Sequence, residues 1–287
     1  MAVFADRIFD ALVAVTVLTT ALAIGLSSAP AAVKNVLVRR RAAVAMLAVN
    51  GVIVPVAAFA LVDWLPVDHG SRTGILLCAI CACGPLGLKA AQIVRGDLMW
   101  AIAVIAGMTL LNAALLPLWT TLLLAESIAA RPADILGAIV MLMVIPIVMG
   151  LVTRRRRPTA AQVASRRLQA SSTVTLALAI AVGLTLHLDE LSSPATSWTV
   201  VIAVLLLALA GTAAYVATGP PTEIQRVAVV ASINRGTGLA LLVASYAFPG
   251  QPRVLASVIA FGILQTTVVF GVALLWRKVS PATVSMH

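Results

Sequence analysis

Acidic residues are the scarcest functional groups in this chain. Its 287 residues include only ten Asp or Glu, against twenty Lys or Arg and a formal net charge of +10. Charged residues amount to 10% of the total, where soluble domains carry roughly 25%. That shortage excludes a soluble domain of any size. With 61% hydrophobic residues and a mean hydropathy of +1.07, the composition instead requires a multi-span helical membrane protein. No nucleotide loop, nucleophile–base pair or carboxylate pair is present, which argues against an enzyme and against any cofactor. The cysteines Cys78, Cys81 and Cys83 lie in an apolar segment without His or acid partners, so they read as small packing residues and no metal site is expected. The positive charge does not indicate nucleic-acid binding, because the basic residues cluster in short loops between apolar runs.

Apolar segments of roughly the 17–25 residues needed to cross a bilayer recur along the whole length. They fall at about 8–28, 42–62, 72–94, 98–124, 132–152, 168–188, 197–218, 222–246 and 252–276, nine spans in all. Loops on one side hold Lys34, Arg39–Arg41, Arg95, Arg154–Arg157, Arg166, Arg167, Arg226, Arg277 and Lys278; the other side holds Arg7, Arg72, Arg131 and Arg253. The basic side is expected to be cytoplasmic, which puts the N-terminus outside, the C-terminus inside and the chain in the cell membrane. Asp6, Arg7 and Asp10 sit at the start of the first apolar run, which therefore lacks a positive signal-peptide flank and reads as a transmembrane helix.

Beyond the first five residues of these segments no acid lies within a span, and two basic residues do: Lys89 and Arg235. A charge at bilayer depth costs at least about 2.5–3.5 kcal/mol and usually marks a substrate or ion pathway. Each of these two sits beside a glycine-rich interruption, Gly84-Pro85-Leu86-Gly87 in the third segment and Gly236-Thr237-Gly238 in the eighth. A long helix follows each, ending in Leu115–Trp119 and Ala273–Trp276 respectively. The third segment starts outside and the eighth inside. That is the pattern of an inverted repeat with paired broken helices around a midplane site.

These residues carry a resemblance to the bile acid:sodium symporter family: the Gly84–Gly87 break with Arg95-Gly96-Asp97 after it, Leu110–Pro117, and Asn234–Ala240 with its Gly-Leu-Ala ending. Asn50–Pro55 and Pro146 fit proline-bearing stretches of the same family. The resemblance implies a ten-helix fold of two inverted repeats, here in a nine-helix, 4+5 form without the first helix. It also implies a core unit, about 42–124 and 197–277, moving against a panel unit, about 8–28 and 132–188. The family's sodium ligands do not carry over. Its hydroxyl positions fall on Ala101 and Ile105, its Ser-Asn region near Gly87, Leu88 and Lys89, its Glu on Ala231, its Gln on Arg235 and its Asn on Gly236. Sodium is a hard cation that wants oxygen ligands.

The resulting expectation is a secondary transporter for a small organic anion that is not sodium-coupled, embedded in membrane lipid. Arg235 and Lys89 would supply positive charge, with Asn234, Thr237 and Asn50 completing the lining. Each has a structural alternative. Arg235 can hold the break through backbone carbonyls, Lys89 can reach the cytoplasmic interface, and Asn50, Asn112, Asn234 and Gln265 can bond neighbouring helices. Sodium- or proton-coupled symport and a non-transporting component on the same fold stay open, as does self-association into a homo-oligomer.

Overall fold

The computed structural model describes residues 2–28, 38–84, 86–123, 132–193, 195–219 and 222–279. Pro85, Lys34 and Arg131 of the sequence reading lie outside these. Among the described residues every regular element is helical. α1 is Ala2–Ser27 and α2 runs from Arg40 to Trp64. The third segment is two helices, α3 (His69–Ile80) and α4 (Leu86–Ile93), and α5 is Leu98–Leu123. α6 passes from Pro132–Ile139 through Val140–Val144 to Ile145–Arg156, and α7 is Pro158–Leu186. α8 is Ala195–Ala217, and the eighth segment is α9 (Glu223–Ile233) and α10 (Thr237–Ala247). The last helix, α11, is Pro252–Val279.

Among the described residues seven helices are long and apolar enough to cross a membrane, or eight if α5, bent by 48° between Leu98–Asn112 and Ala114–Leu123, counts as one span. The third segment falls short because its break cuts it into pieces of 12 and 8 residues. The helix expected over 168–188 begins ten residues earlier, where Pro158 starts α7 in the first turn, a place where proline's missing N–H and fixed φ cost nothing.

Proline shapes two other helices. A ring at position i removes the donor for the carbonyl four residues back and collides with it. Ahead of Pro55, and again ahead of Pro146, the chain widens into one π-helical turn, Val49–Ile53 and Val140–Val144, which relieves that clash. The carbonyl stranded by Pro55 is that of Gly51, and the indole of Trp119 on α5 donates to it at 3.0 Å.

α1 packs along α7 and α6, while α8 packs on α9, and α11 on α3 and α8. Gly25 of α1 faces Gly150 of α6 so closely that a Cβ on Gly150 would sit 2.7 Å from the Leu22 carbonyl oxygen. The α1–α7 seam is polar: Thr16 donates to Thr175 at 2.9 Å, and Thr20 and Ser172 hydroxyls meet at 2.8 Å. The eighth segment is the centre of the molecule. Its most apolar 18-residue window is 89% buried, against 22–44% for the six other unbent spans.

Candidate functional site

The two breaks lie against each other. The Gly84 amide donates to the Asn234 carbonyl at 3.1 Å, and the Gly236 amide donates to the Cys81 carbonyl at 2.8 Å. The Asn234 side chain adds a bond to the Gly84 carbonyl at 2.5 Å. Glycine is required at 84, since a Cβ there would lie 2.6 Å from the Arg235 carbonyl oxygen.

Each break is held by an amide side chain from the long helix that follows it. Asn112 on α5 accepts from the Ala82 amide at 3.2 Å and donates to the Ala82 carbonyl at 2.6 Å. Gln265 on α11 accepts from the Arg235 amide at 2.9 Å and donates to the Arg235 carbonyl at 2.9 Å. Both amides stand 30 residues beyond the position they clamp. Gln265 also donates to the Thr237 hydroxyl at 2.5 Å. Backbone groups freed at a buried helix end need such partners.

Breaking two helices at one place sorts their ends by charge. α3 and α9 terminate at the crossing with their carbonyl ends, while α4 and α10 begin there with their amide ends. A helix C-terminus is equivalent to about half a negative charge and an N-terminus to about half a positive one. Arg235 answers the first pair. It is 2% exposed. Its Nε donates to the Cys78 carbonyl at 3.3 Å and Nη2 to the Ala79 carbonyl, both in the last turn of α3. Its Nη1 donates to Asn50 Oδ1 at 2.7 Å and to the Ser232 carbonyl of α9 at 3.5 Å. Four of the five guanidinium N–H groups are thereby given to acceptors within the protein. The two-pronged fork that a carboxylate would use is not open here; one Nη2 N–H remains.

The opposite pair of ends borders a cavity. Gly84 and Leu86 at the start of α4, and Gly236 to Leu239 at the start of α10, line it together with Thr109, Asn112, Asn234, Arg235 and Gln265. Its other wall is Thr16, Val17, Thr20, Ala21 and Ile24 of α1, with Met143 of α6 and Leu176 of α7. The space is about 40 Å³. That is room for water, which needs about 10–15 Å³ of such space, and far less than the roughly 300–1,000 Å³ of a small-molecule pocket.

Of the residues singled out from sequence, Arg235, Asn234 and Thr237 line this cavity. Asn50 does not. It stands behind Arg235, donating to the Met46 carbonyl at 3.0 Å and the Ser232 hydroxyl at 2.8 Å. Lys89 is separate as well: its ammonium donates to Thr173 Oγ1 of α7 at 3.0 Å. Asn112 and Gln265, read from sequence as helix–helix bonds, hold the two breaks and reach the cavity. The signal that would have singled them out is their equal spacing from the two breaks. Thr16 and Thr20 gave no signal, because nothing in sequence says which face of α1 turns inward. The cysteines are buried, and Cys83 Sγ donates to the Ala231 carbonyl at 3.3 Å. Among the described residues no group of three or more His, Cys, Asp or Glu is placed to hold a metal ion.

The sodium bile acid symporter family matches this sequence over residues 14–194. The chain belongs to that family. No curated protein matches it. Membership supports a secondary transporter of the bile acid or organic anion type. In this symporter-family chain three of the positions aligned with sodium ligands, Gly87, Ile105 and Ala231, meet. A Cβ on Gly87 would lie 3.5 Å from Ile105 Cδ1 and 3.7 Å from Ala231 Cα. What converges there is carbon, with the Asn234 amide nitrogen 3.2 Å from the same point. Ala101, Ile105 and Ala231 are buried apolar side chains.

Proposed function

We propose that this chain is a secondary transporter that carries a small organic anion by alternating access, without sodium coupling. The observation behind this reading is the polarity of the crossing. A buried cation stands at the carbonyl ends of α3 and α9, no carboxylate side chain among the described residues bonds it, and the cavity opens on the amide ends of α4 and α10. An anion at those two N-termini gains from both dipoles, each worth about 0.3–1 kcal/mol at an exposed site and more when desolvated. Thr237 offers a hydroxyl, Thr20 one shared with Ser172, Asn234 offers an amide N–H, and Arg235 offers its charge with its remaining N–H. Lys89 acts apart, on the seam with α7, where it meets an anion on its cytoplasmic approach.

The fold is a nine-span inverted repeat in which the third segment crosses as two half-helices. Support comes from the matched amide clamps 30 residues beyond each break and from the reciprocal bonds between the breaks. A core built on α2–α5 and α8–α11 works against a panel of α1, α6 and α7. The cavity is walled by both units, so relative movement of the two would open it to one side and then the other. At about 40 Å³ it must widen to admit any organic anion. The N-terminus faces outward and the arginines at 154–157 face the cytoplasm of the cell membrane.

The test is counterflow in proteoliposomes with a panel of labelled carboxylates that includes a bile acid, run in sodium and again in choline. Exchange of at least one carboxylate at equal rates in both salts is the expected result. A tenfold or larger loss in choline would overturn the claim of sodium independence, and absence of exchange with every anion would overturn the transport reading. Labelling single cysteines from each side, in a background without native cysteine, checks orientation: position 155 should react from the inside alone.

A further inference from the structure

Four oxygens close on the Arg235 guanidinium: the carbonyls of Cys78, Ala79 and Ser232 and the side-chain oxygen of Asn50. They come from three separate pieces, α2, α3 and α9. Three of the four are the unsatisfied carbonyls of helix ends, groups that carry negative potential and have no water to turn to. None is a carboxylate. Such a cage is a site for one positive charge of low coordination demand, and the chain fills it with its own side chain. From this geometry we infer that Arg235 is a tethered cation: it occupies a latent monovalent-cation site and locks the two carbonyl ends together, so that its main task is positioning the break and only one N–H is left for the substrate. The inference rests on the anion-transport reading above only for its consequence, that carriage is independent of external cations; the cage itself is a claim about stability and ion binding.

The clamp comparison supports it. Gln265 holds the Arg235 backbone as Asn112 holds the Ala82 backbone, so the clamped position tolerates a methyl side chain in one break. Arginine at the other is not demanded by the clamp and has a separate task. That task reaches away from the cavity, since the guanidinium gives four of its five donors to the cage.

Arg235→Ala would empty the cage while leaving all four oxygens in place. The full-length variant, purified in detergent, is heated in choline, sodium, potassium and guanidinium chlorides at equal ionic strength, the last at low millimolar concentration. The wild type should melt at one temperature in all four. The variant should melt lower in choline. It should then recover by about 5 °C or more once a fitting cation reaches roughly a hundredfold excess over its Kd. Guanidinium restores the missing group directly, whereas sodium or potassium tests the cage as an ion site. If the melting of Arg235→Ala responds to none of these cations, the proposal is wrong.

If Arg235→Ala yields folded protein only in a cation other than choline, the proposal stands. If it folds in no salt, Arg235→Lys decides: a charge on a shorter stem should restore folded yield and leave melting insensitive to sodium. Failure of the lysine variant to fold, or a sodium requirement in it, would overturn the idea. Because melting needs no substrate, cation rescue with no anion carried by the wild type would sink the transport reading alone. Anion transport by the wild type with no cation response in the alanine variant would sink this inference alone.

Discussion

The two broken segments are alike in construction and unlike in chemistry. Each stops near its middle, each trades backbone hydrogen bonds with the other, and each is clamped by an amide from the helix that follows. At the clamped position one carries Ala82 and the other Arg235. The first break offers carbonyls and the second offers the charge that receives them. The architecture needs both breaks, but only one cation, and that cation is placed where two helix C-termini would otherwise face each other with nothing between. The anion-favouring ends of α4 and α10 are left turned toward the cavity. Function in this reading depends less on the matched parts than on the one residue that breaks the match.

The clamps give the largest test of that comparison. Removing one leaves buried backbone groups without partners, each costing about 1–3 kcal/mol. Gln265→Ala strands two groups, the Arg235 amide and the Thr237 hydroxyl, because the Arg235 carbonyl keeps the Thr237 amide; Asn112→Ala strands one, the Ala82 carbonyl, because the Ala82 amide keeps the Ile80 carbonyl. Gln265→Ala should lower the melting temperature by about 10 °C, and Asn112→Ala by about half as much, at roughly 2–4 °C per kcal/mol. Equal losses, or a larger loss for Asn112→Ala, would show that the second break is not the more heavily tied of the two.

How much of this was legible in the sequence can be judged at these same residues. The breaks were, since Gly84, Gly87, Gly236 and Gly238 interrupt runs otherwise fit to span a bilayer. Arg235 was visible as a charge out of place in an apolar segment. Its partners were not, because three of the four are backbone oxygens and any sequence has those. The guanidinium is given to those carbonyls and to Asn50 Oδ1. Lys89 looked equivalent to Arg235 in sequence, and only packing separates them: one is enclosed by helix ends and the other lies on the α7 seam. The widened turns ahead of Pro55 and Pro146 were readable as prolines in helices, but not as π-turns, since a kink relieves the same clash.

The glycines of the breaks sharpen the comparison next. Gly84 has no room for a methyl, being 2.6 Å from the Arg235 carbonyl oxygen, while a Cβ on Gly236 would meet Cys81 Cβ at an ordinary 3.5 Å. Gly236 also has φ −78°, which any residue adopts. Gly84→Ala should lose about 1–3 kcal/mol by overpacking and, by prising the breaks apart, a large share of transport. Gly236→Ala should be nearly silent in melting. Two alanine variants with the same melting loss would mean the breaks do not meet as described.

A smaller effect is expected at Lys89, which bonds α7 and not the crossing. Lys89→Ala removes a single charge-assisted bond to Thr173, worth about 1.5–3 kcal/mol if fully buried and less here, where Lys89 is half-buried. Melting should shift by only a few degrees, and apparent affinity for the anion should weaken more from the cytoplasmic side than from the outside. A loss of transport as complete as that of Gly84→Ala would place Lys89 at the crossing after all.

The smallest difference lies at the outer starts of the two segments, where their first helices are capped. Asp68 caps α3 by accepting from the Ser71 amide at 3.0 Å, and Thr222 caps α9 by accepting from the Gln225 amide at 3.4 Å. Loss of such a cap costs about 0.5–2 kcal/mol, and the shorter, charged bond should account for more of it. Burial acts to raise the Asp68 carboxyl above its ordinary 3.8, but the bonds from the Ser71 hydroxyl and amide, with Arg253 nearby, outweigh it and hold the group below that value. A depressed native value makes the carboxylate stabilising above the unfolded value near 3.8, and that contribution fades as pH falls through the lower native one. Asp68→Ala should therefore lower melting by a few degrees at pH 7, more than Thr222→Ala does, and the gap between Asp68→Ala and wild type should narrow toward pH 3. Thr222→Ala should show no such narrowing, because a hydroxyl does not titrate there. A gap that stays constant from pH 7 to pH 3 for both variants would show that the Asp68 cap draws nothing from its charge.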